Sequence, residues 1–287
     1  MRLRKNIPRT RHHAPGTITT AKRLVVFDLD GVIYRGDELL PRVVETLADI
    51  RRRKIFMRFM TNNSTRTRKF YCEKMRRMGI DAWEDEIVSS SYAAAWYLRK
   101  NAPSGAKVFI VGEDGLRDEL LAVCDIVDEK QLQQAEYVVV GLDREFNYKK
   151  LANAMSAILM GAKFIATNLD PDFPASGGRL LPGGGAIVAA LEMATGVKPL
   201  VIGKPEPLMM ELVLDTADVK REEILLIGDR AATDIVAGKR AGVETCLVLT
   251  GVTTPQEAKM LPPELTPDCV VNDLGGVLNI LDETCGN

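Results

Sequence analysis

The sequence predicts an α/β fold: a doubly wound parallel sheet, clothed by helices on both faces, interrupted by a second and smaller α/β unit. Three observations predict it. Short apolar runs alternate with amphipathic segments along most of the chain, the pattern of parallel strands joined by crossover helices. Four of those runs stop abruptly at carboxylates, an amide or a lysine. Two of these endings, Thr61 and Lys204, lie 143 residues apart, far more than one crossover needs.

Strand candidates in order are 24–28, 55–60, 108–111, 137–140, 164–166, 200–202, 224–227 and 245–249. The first, "LVVFD", is apolar without alternation, as expected of a strand covered on both faces. Helical segments between them include "PRVVETLADIRRRK", "TRTRKFYCEKMRRMG", "YAAAWYLRKN", "YKKLANAMSAILMG", "GAIVAALEMATG" and "PLMMELVLDTA". Asp28 to Thr61 is 33 residues and Lys204 to Asp229 is 25, each about one strand–helix–strand step. The long gap holds its own series, "VFIVG", "YVVVG" and "FIATN" with helices between. The predicted division is therefore a core of 24–103 and 198–287, an inserted unit of 104–197, and a basic tail of 1–23.

That tail carries Arg2, Arg4, Lys5, Arg9, Arg11, Lys22 and Arg23 and no acid, which leaves the rest with 31 basic against 39 acidic residues. Pro8, Pro15 and Gly16 oppose a continuous helix there, so it reads as a solvated, poorly ordered terminus. At 287 residues, 46% hydrophobic and 27% charged, the chain suits a globular protein of two domains. No apolar run approaches the ~18 residues that span a bilayer. Five scattered cysteines with no CxxC pair fit a reduced, cytoplasmic protein without disulfides or a zinc site.

Function in open parallel sheets gathers at the carboxyl ends of strands. Those ends read "DLD", "TNNS", "GKP" and "GDRAATD", offering Asp28 and Asp30, Thr61 and Asn62, Lys204, and Asp229 and Asp234. Two carboxylates spaced one apart at the end of a buried strand repel unless they face a cation or an electrophile. The set D-x-D-G-V, T-N-N, G-K-P and G-D-x-x-x-x-D resembles the haloacid dehalogenase superfamily of phosphotransferases, and "DLDGVIYRG", "VVVGLDREFNYKKL", "ATNLDPDFP" and "VIGKPEP" resemble its subfamily IIA. The resemblance covers roughly residues 22–275. It departs at Ala231 and Ala232, where relatives often carry a larger or acidic residue.

The resemblance implies a Rossmann-like core with a C2 cap and a Mg²⁺-dependent phosphatase of the NagD-like, p-nitrophenylphosphatase-like group. The implied metal ligands are the Asp28 carboxylate, the Asp30 main-chain carbonyl and the Asp229 carboxylate, with Asp234 behind them. Asp28 would be the nucleophile that forms an aspartyl-phosphate, and Asp30 the acid and base. Residues i and i+2 of an extended strand share a side, so one carboxylate can face phosphorus while the other reaches the leaving oxygen. Thr61 and the Asn62 amide would hold phosphoryl oxygens. With Asp30 protonated, a substrate dianion, Asp28 and Asp229 sum to −4 against +3 from Mg²⁺ and Lys204, so Lys204 is needed. Arg144, Asn168 and Asp170, at the carboxyl edge of the inserted sheet, are candidates for contacting the substrate beyond its phosphate.

Other phosphate chemistries lack their residues. The two histidines, His12 and His13, both lie in the tail, no cysteine has an arginine six positions on, and no GxxxxGK[ST] or GxGxxG occurs. The expected partner is a small phosphorylated metabolite such as a sugar phosphate or nucleotide, with p-nitrophenyl phosphate as a surrogate. Nucleic acid and membrane are not expected partners, and the resemblance implies a homodimer through the cap. Two alternatives stay open: a phosphotransferase or mutase of the same fold, and a silent regulator that binds nucleic acid through its tail.

Overall fold

The structure is a computed structural model that describes residues 20–174 and 179–285. Tail residues 1–19, including both histidines, lie outside the described residues. The chain enters β1 (Leu24–Asp28), makes a short hairpin of β2 (Tyr34–Arg35) and β3 (Glu38–Leu39), and continues through α1 (Val43–Arg52), β4 (Phe56–Thr61), α2 (Arg68–Arg77), β5 (Ile87–Ser89) and α3 (Ser90–Asn101). A second series follows: β6 (Lys107–Val111), α4 (Asp114–Leu121), β7 (Asp125–Ile126), β8 (Tyr137–Val140), α5 (Tyr148–Leu159), β9 (Lys163–Ala166), a hairpin of β10 (Asp172–Pro174) and β11 (Leu180–Pro182), α6 (Gly184–Thr195) and β12 (Leu200–Val201). Then come α7 (Leu208–Thr216), β13 (Ile224–Gly228), α8 (Val236–Ala241), β14 (Glu244–Val248), α9 (Pro255–Ala258), β15 (Cys269–Val271) and α10 (Val277–Cys285).

Two parallel sheets result. The larger runs β15-β14-β13-β1-β4-β5 and the smaller β12-β9-β8-β6-β7. β1 is central: Leu24 is paired with Ile224 on one side and Phe56 on the other. Strict alternation along it explains why a strand without polar positions is stable. Val25 and Phe27 face a layer that includes Phe59, Leu47, Ile50 and Met75, with the Phe27 and Phe59 rings stacked at 5.7 Å. Leu24 and Val26 face α3 and α7 through Ala94, Leu98, Met209 and Val213. That second layer does not stop at the core sheet. It runs on through Leu116, Val108, Val139 and Ile165, so one apolar layer serves both sheets. The smaller sheet's other face is closed by α5 and α6 through Ala154, Ile158, Val188 and Leu191.

Local signals start the helices. The side chains of Thr67, Ser89 and Asn147 accept an early amide of α2, α3 and α5. No helix among the described residues is long and apolar enough to cross a membrane.

Two expectations need correction. The strand over 200–202, assigned to the core, is the edge strand of the smaller sheet: Leu200 pairs with Ile165 and Val201 with Ala166. Two apolar residues cannot specify which sheet they join, and β9 offered the free edge. Lys22, counted with the solvated tail, is buried; its ammonium lies 2.6 Å from Glu244 and donates to the Glu222 carbonyl at 2.5 Å. Arg23 is likewise tied in through its backbone, between Glu223 and Phe56.

Candidate active site

Three strand ends and the return from β12 converge on one cluster of charge. Asp28 is the last residue of β1, Thr61 ends β4, and Asp229 follows β13. Beyond Asp28 the chain turns at Gly31, whose φ of +86° belongs to the left-handed region. A Cβ there would also lie 2.3 Å from Asp229 Oδ2, so only glycine lets the turn pass over that carboxylate. Asp229 is oriented by the Val252 amide, which donates to Oδ2 at 2.7 Å. One π-helical turn, Ala231–Ile235, then brings Asp234 back beneath the strand ends, where its Oδ2 accepts the Arg230 amide at 3.0 Å. Ala231 is buried in this turn, with its amide donating to Thr253 Oγ1 at 3.0 Å, whereas Ala232 is exposed.

Carboxylate oxygens of Asp28, Asp229 and Asp234 lie within 4.8 Å of one another, all buried. The Lys204 ammonium sits between two of them, hydrogen-bonded to Asp28 Oδ1 and 2.6 Å from Asp234 Oδ1. Lys204 is therefore shared, a feature that counting only Asp28 and Asp229 misses. Three carboxylates against one ammonium leave a net −2 in a buried space. Burial, with Asp234 and Asp229 adding to it, pushes the Asp28 carboxyl well above the usual range, although Lys204 pulls the other way. Burial and Asp234 likewise raise Asp229 to about 6. Burial works against the charged form of Lys204, but Asp234 and Asp28 outweigh it and hold its pKa above the usual lysine value. An all-oxygen donor set carrying two uncompensated negative charges fits a hard divalent cation.

Asp30 stands at the mouth, exposed by area yet walled in closely enough for burial to raise its carboxyl; Lys74 and Lys204 pull it back down. Thr61 is buried, and its Oγ1 accepts the Asn63 amide at 3.2 Å. Asp170 joins the site's edge: burial raises its carboxyl, while an Asn62 hydrogen bond at 3.2 Å, Lys204 and Arg230 lower it.

Two candidates are engaged elsewhere. Arg144 is not brought to the cluster, because its guanidinium forks onto Glu113, with Nε to Oε1 at 2.7 Å. Burial would raise Glu113, but these bonds hold it below the usual carboxylate range. Asn168 is buried, and its Nδ2 donates 2.8 Å to the Asn62 carbonyl, not into open space. Conversely, Lys74 and Arg230 belong to the site's surroundings and were not singled out from sequence. The Lys74 ammonium lies 3.8 Å from the centre of the Tyr34 ring and donates 2.6 Å to Gly36, the tip of the hairpin beside Asp30. Arg230 follows the Asp229 motif residue directly and could have been noticed there; Lys74, one basic residue among several on α2, could not.

Comparison with known proteins agrees with this geometry. Residues 25–123 match the profile described as haloacid dehalogenase-like hydrolase, and residues 201–277 one described as HAD-hydrolase-like. An acid sugar phosphatase of Staphylococcus saprophyticus is 37% identical over 260 residues, 90% of this chain and 97% of that protein. Among solved structures, a p-nitrophenyl phosphatase from Archaeoglobus fulgidus superposes with a TM-score of 0.84 at 38% identity, covering 90% of this chain and 99% of that one. A glycerol phosphate phosphatase from Mycobacterium tuberculosis, in complex with magnesium, gives 0.83 at 33%, covering 93% and 78%. Identity of this order along nine-tenths of the chain, over a shared fold, settles its kinship: the protein belongs to the haloacid dehalogenase-like hydrolases, among the C2-capped phosphatases of subfamily IIA.

Proposed function

We propose that this chain hydrolyses small phosphate monoesters, sugar or polyol phosphates foremost, with Mg²⁺ bound and through a phosphorylated Asp28. The observation that carries the reading is the cluster itself: a buried nucleophile candidate hydrogen-bonded to Lys204, with Asp229 and Asp234 within reach of a shared cation. The names of the relatives support the substrate class, since they act on sugar phosphates, glycerol phosphate and p-nitrophenyl phosphate.

Asp28 and Asp229 would hold Mg²⁺ by their carboxylates and Asp30 by its main-chain carbonyl, with Asp234 supporting from behind. The ion would supply charge neutralisation for the phosphate dianion. A lone pair of the Asp28 carboxylate forms a bond to phosphorus as the ester P–O bond breaks. The departing oxygen takes its proton from Asp30 and leaves as an alcohol, and Asp30 is left as a carboxylate. Water then attacks the same phosphorus, giving its proton back to Asp30, and the P–O bond to Asp28 breaks with its electrons returning to the carboxylate. Lys204 stabilises the anionic oxygens throughout, and Thr61 with the Asn62 amide would cradle the transferring oxygens.

The test is a screen of sugar, polyol and nucleoside monophosphates with added Mg²⁺, alongside p-nitrophenyl phosphate. Release of inorganic phosphate that is lost with a chelator and restored by Mg²⁺ is expected. Undiminished turnover in a chelated sample would overturn the reading.

A further inference from the structure

Asn62 follows Thr61 at the end of β4, but its side chain reaches across to the segment that returns from β12. Its Oδ1 accepts the Lys204 amide at 2.8 Å, and its Nδ2 donates to the Lys204 carbonyl at 3.0 Å. One side chain thus holds both main-chain groups of the lysine. The orientation of this amide is fixed by chemistry, because an N–H can only donate and a carbonyl can only accept. Asn62's own carbonyl is in turn held by the Asn168 Nδ2 at 2.8 Å and the Ser90 hydroxyl at 2.6 Å.

Both polar atoms of the Asn168 side chain are engaged within the protein. Its Oδ1 accepts the Asp170 amide at 3.1 Å, and its Nδ2 also faces Thr167 Oγ1 at 3.5 Å. It is 4% exposed, and Thr167 beside it is closed off by Ser64 of the core loop at 3.2 Å. The contacts form one chain: the loop after β9 holds Asn62, Asn62 holds Lys204, and Lys204 holds Asp28.

We propose that Asn168 is a positioning residue that acts through Asn62 to seat the Lys204 ammonium against Asp28, so that the cap loop sets the reactivity of the core. This rests on the reading of Lys204 and Asp28 given above. It assigns Asn168 to the reaction itself, where a substrate contact would have made it a determinant of specificity.

The experiment uses the full chain with Mg²⁺: wild type, Asn168→Ala, Asn62→Ala and the double variant, each assayed on p-nitrophenyl phosphate and on the best sugar phosphate. Asn168→Ala should lower kcat about 10-fold on both substrates with KM changed less than about 3-fold, the scale of one lost buried hydrogen bond. Asn62→Ala should lower kcat at least as much, and the double variant should be no worse than Asn62→Ala alone, because both changes break one chain of contacts. Loss confined to the sugar phosphate, losses that multiply in the double variant, or no loss would each overturn the proposal. If Asn168→Ala does not fold, Asn168→Asp keeps the acceptor for Asp170 and removes the donor, and should reproduce the same pattern. A crystal structure of the Asn168 variant gives a reading independent of turnover. The Lys204 ammonium should be displaced from Asp28 and Asp234, and an unmoved lysine would sink the proposal even if the wild type proved to be no phosphatase.

Discussion

Asp28 and Asp234 compete for a single ammonium, and that competition decides what each side chain costs when removed. Asp28→Asn should abolish turnover, since an amide is no nucleophile, yet the metal-free protein should melt no lower than wild type: one of three crowded negative charges is gone and Lys204 keeps Asp234. Activity and melting curves on one preparation check both halves. Asp30→Asn should slow sugar phosphates far more than p-nitrophenyl phosphate, whose leaving group needs little protonation. Asp229 adds a pH dependence. Its folded pKa of about 6 exceeds that of a solvated aspartate, so the folded chain binds the extra proton and its stability falls as pH rises through that interval. In chelator, acidification from pH about 6.5 to about 4.5 should therefore stabilise wild type by about 1–2 kcal/mol more than Asp229→Asn. Denaturant unfolding at the two pH values measures this. The residues changed in these predictions were all singled out from sequence, because each lies at or just beyond the end of a buried strand and carries a group that packing does not require. Asn168 was singled out from its place after a strand of the inserted unit, but its hydrogen bond to Asn62, 106 positions away, was not legible. Lys74 was illegible: only the fold brings that helix beside the hairpin next to Asp30.

At the scale of elements, what matters is how the return from the smaller sheet reaches the core. β12 is two residues long, and Gly203 drops the chain immediately onto Asn62. A Cβ on residue 203 would lie 2.5 Å from the Thr167 carbonyl and 2.7 Å from Asn62 Oδ1. Neither atom belongs to a flexible exposed chain, so one of the contacts that seat Lys204 must give way. Gly203→Ala should cost of order 1–3 kcal/mol of stability and lower kcat on every substrate alike. A variant as active and as stable as wild type would show that the return has more room than the structure gives it. This same brevity explains the misplaced strand. The run "LVIGKP" carries a motif that belongs to the core, but its first residues complete the other sheet, and no periodicity marks where one ends. Longer elements were read correctly because their patterns are sustained: β1 is apolar up to Asp28, β13 carries no polar side chain, and α5 presents Ala154, Ala157 and Ile158 to one face.

At the scale of the molecule, the apolar layer under α3 and α7 joins the two sheets. Val26 and Leu226 of the core share it with Val108 and Ile165 of the inserted unit. Sequence spacing separated the chain into a core and an insertion, and it could not show that they divide one hydrophobic layer between them. Units with a common core should unfold together, so calorimetry of the full chain is expected to give one cooperative transition rather than two. The proposed cation site tests this coupling, because Asp28 and Asp229, which would hold the ion, lie at the ends of strands of the larger sheet. Mg²⁺ bound to the folded state alone stabilises by mass action, about 2.7 kcal/mol at a hundred times its Kd. For a chain of this size that raises Tm by about 4–5 °C. If the shared layer couples the sheets, the entire transition should shift by that amount, with the fluorescence of Trp83 and Trp96 and the calorimetric heat moving together. Two transitions, with only one displaced by Mg²⁺, would mean that the insertion melts on its own and that the common layer is too weak to bind the halves. An unshifted single transition would instead deny the cation its place among Asp28, Asp229 and Asp234.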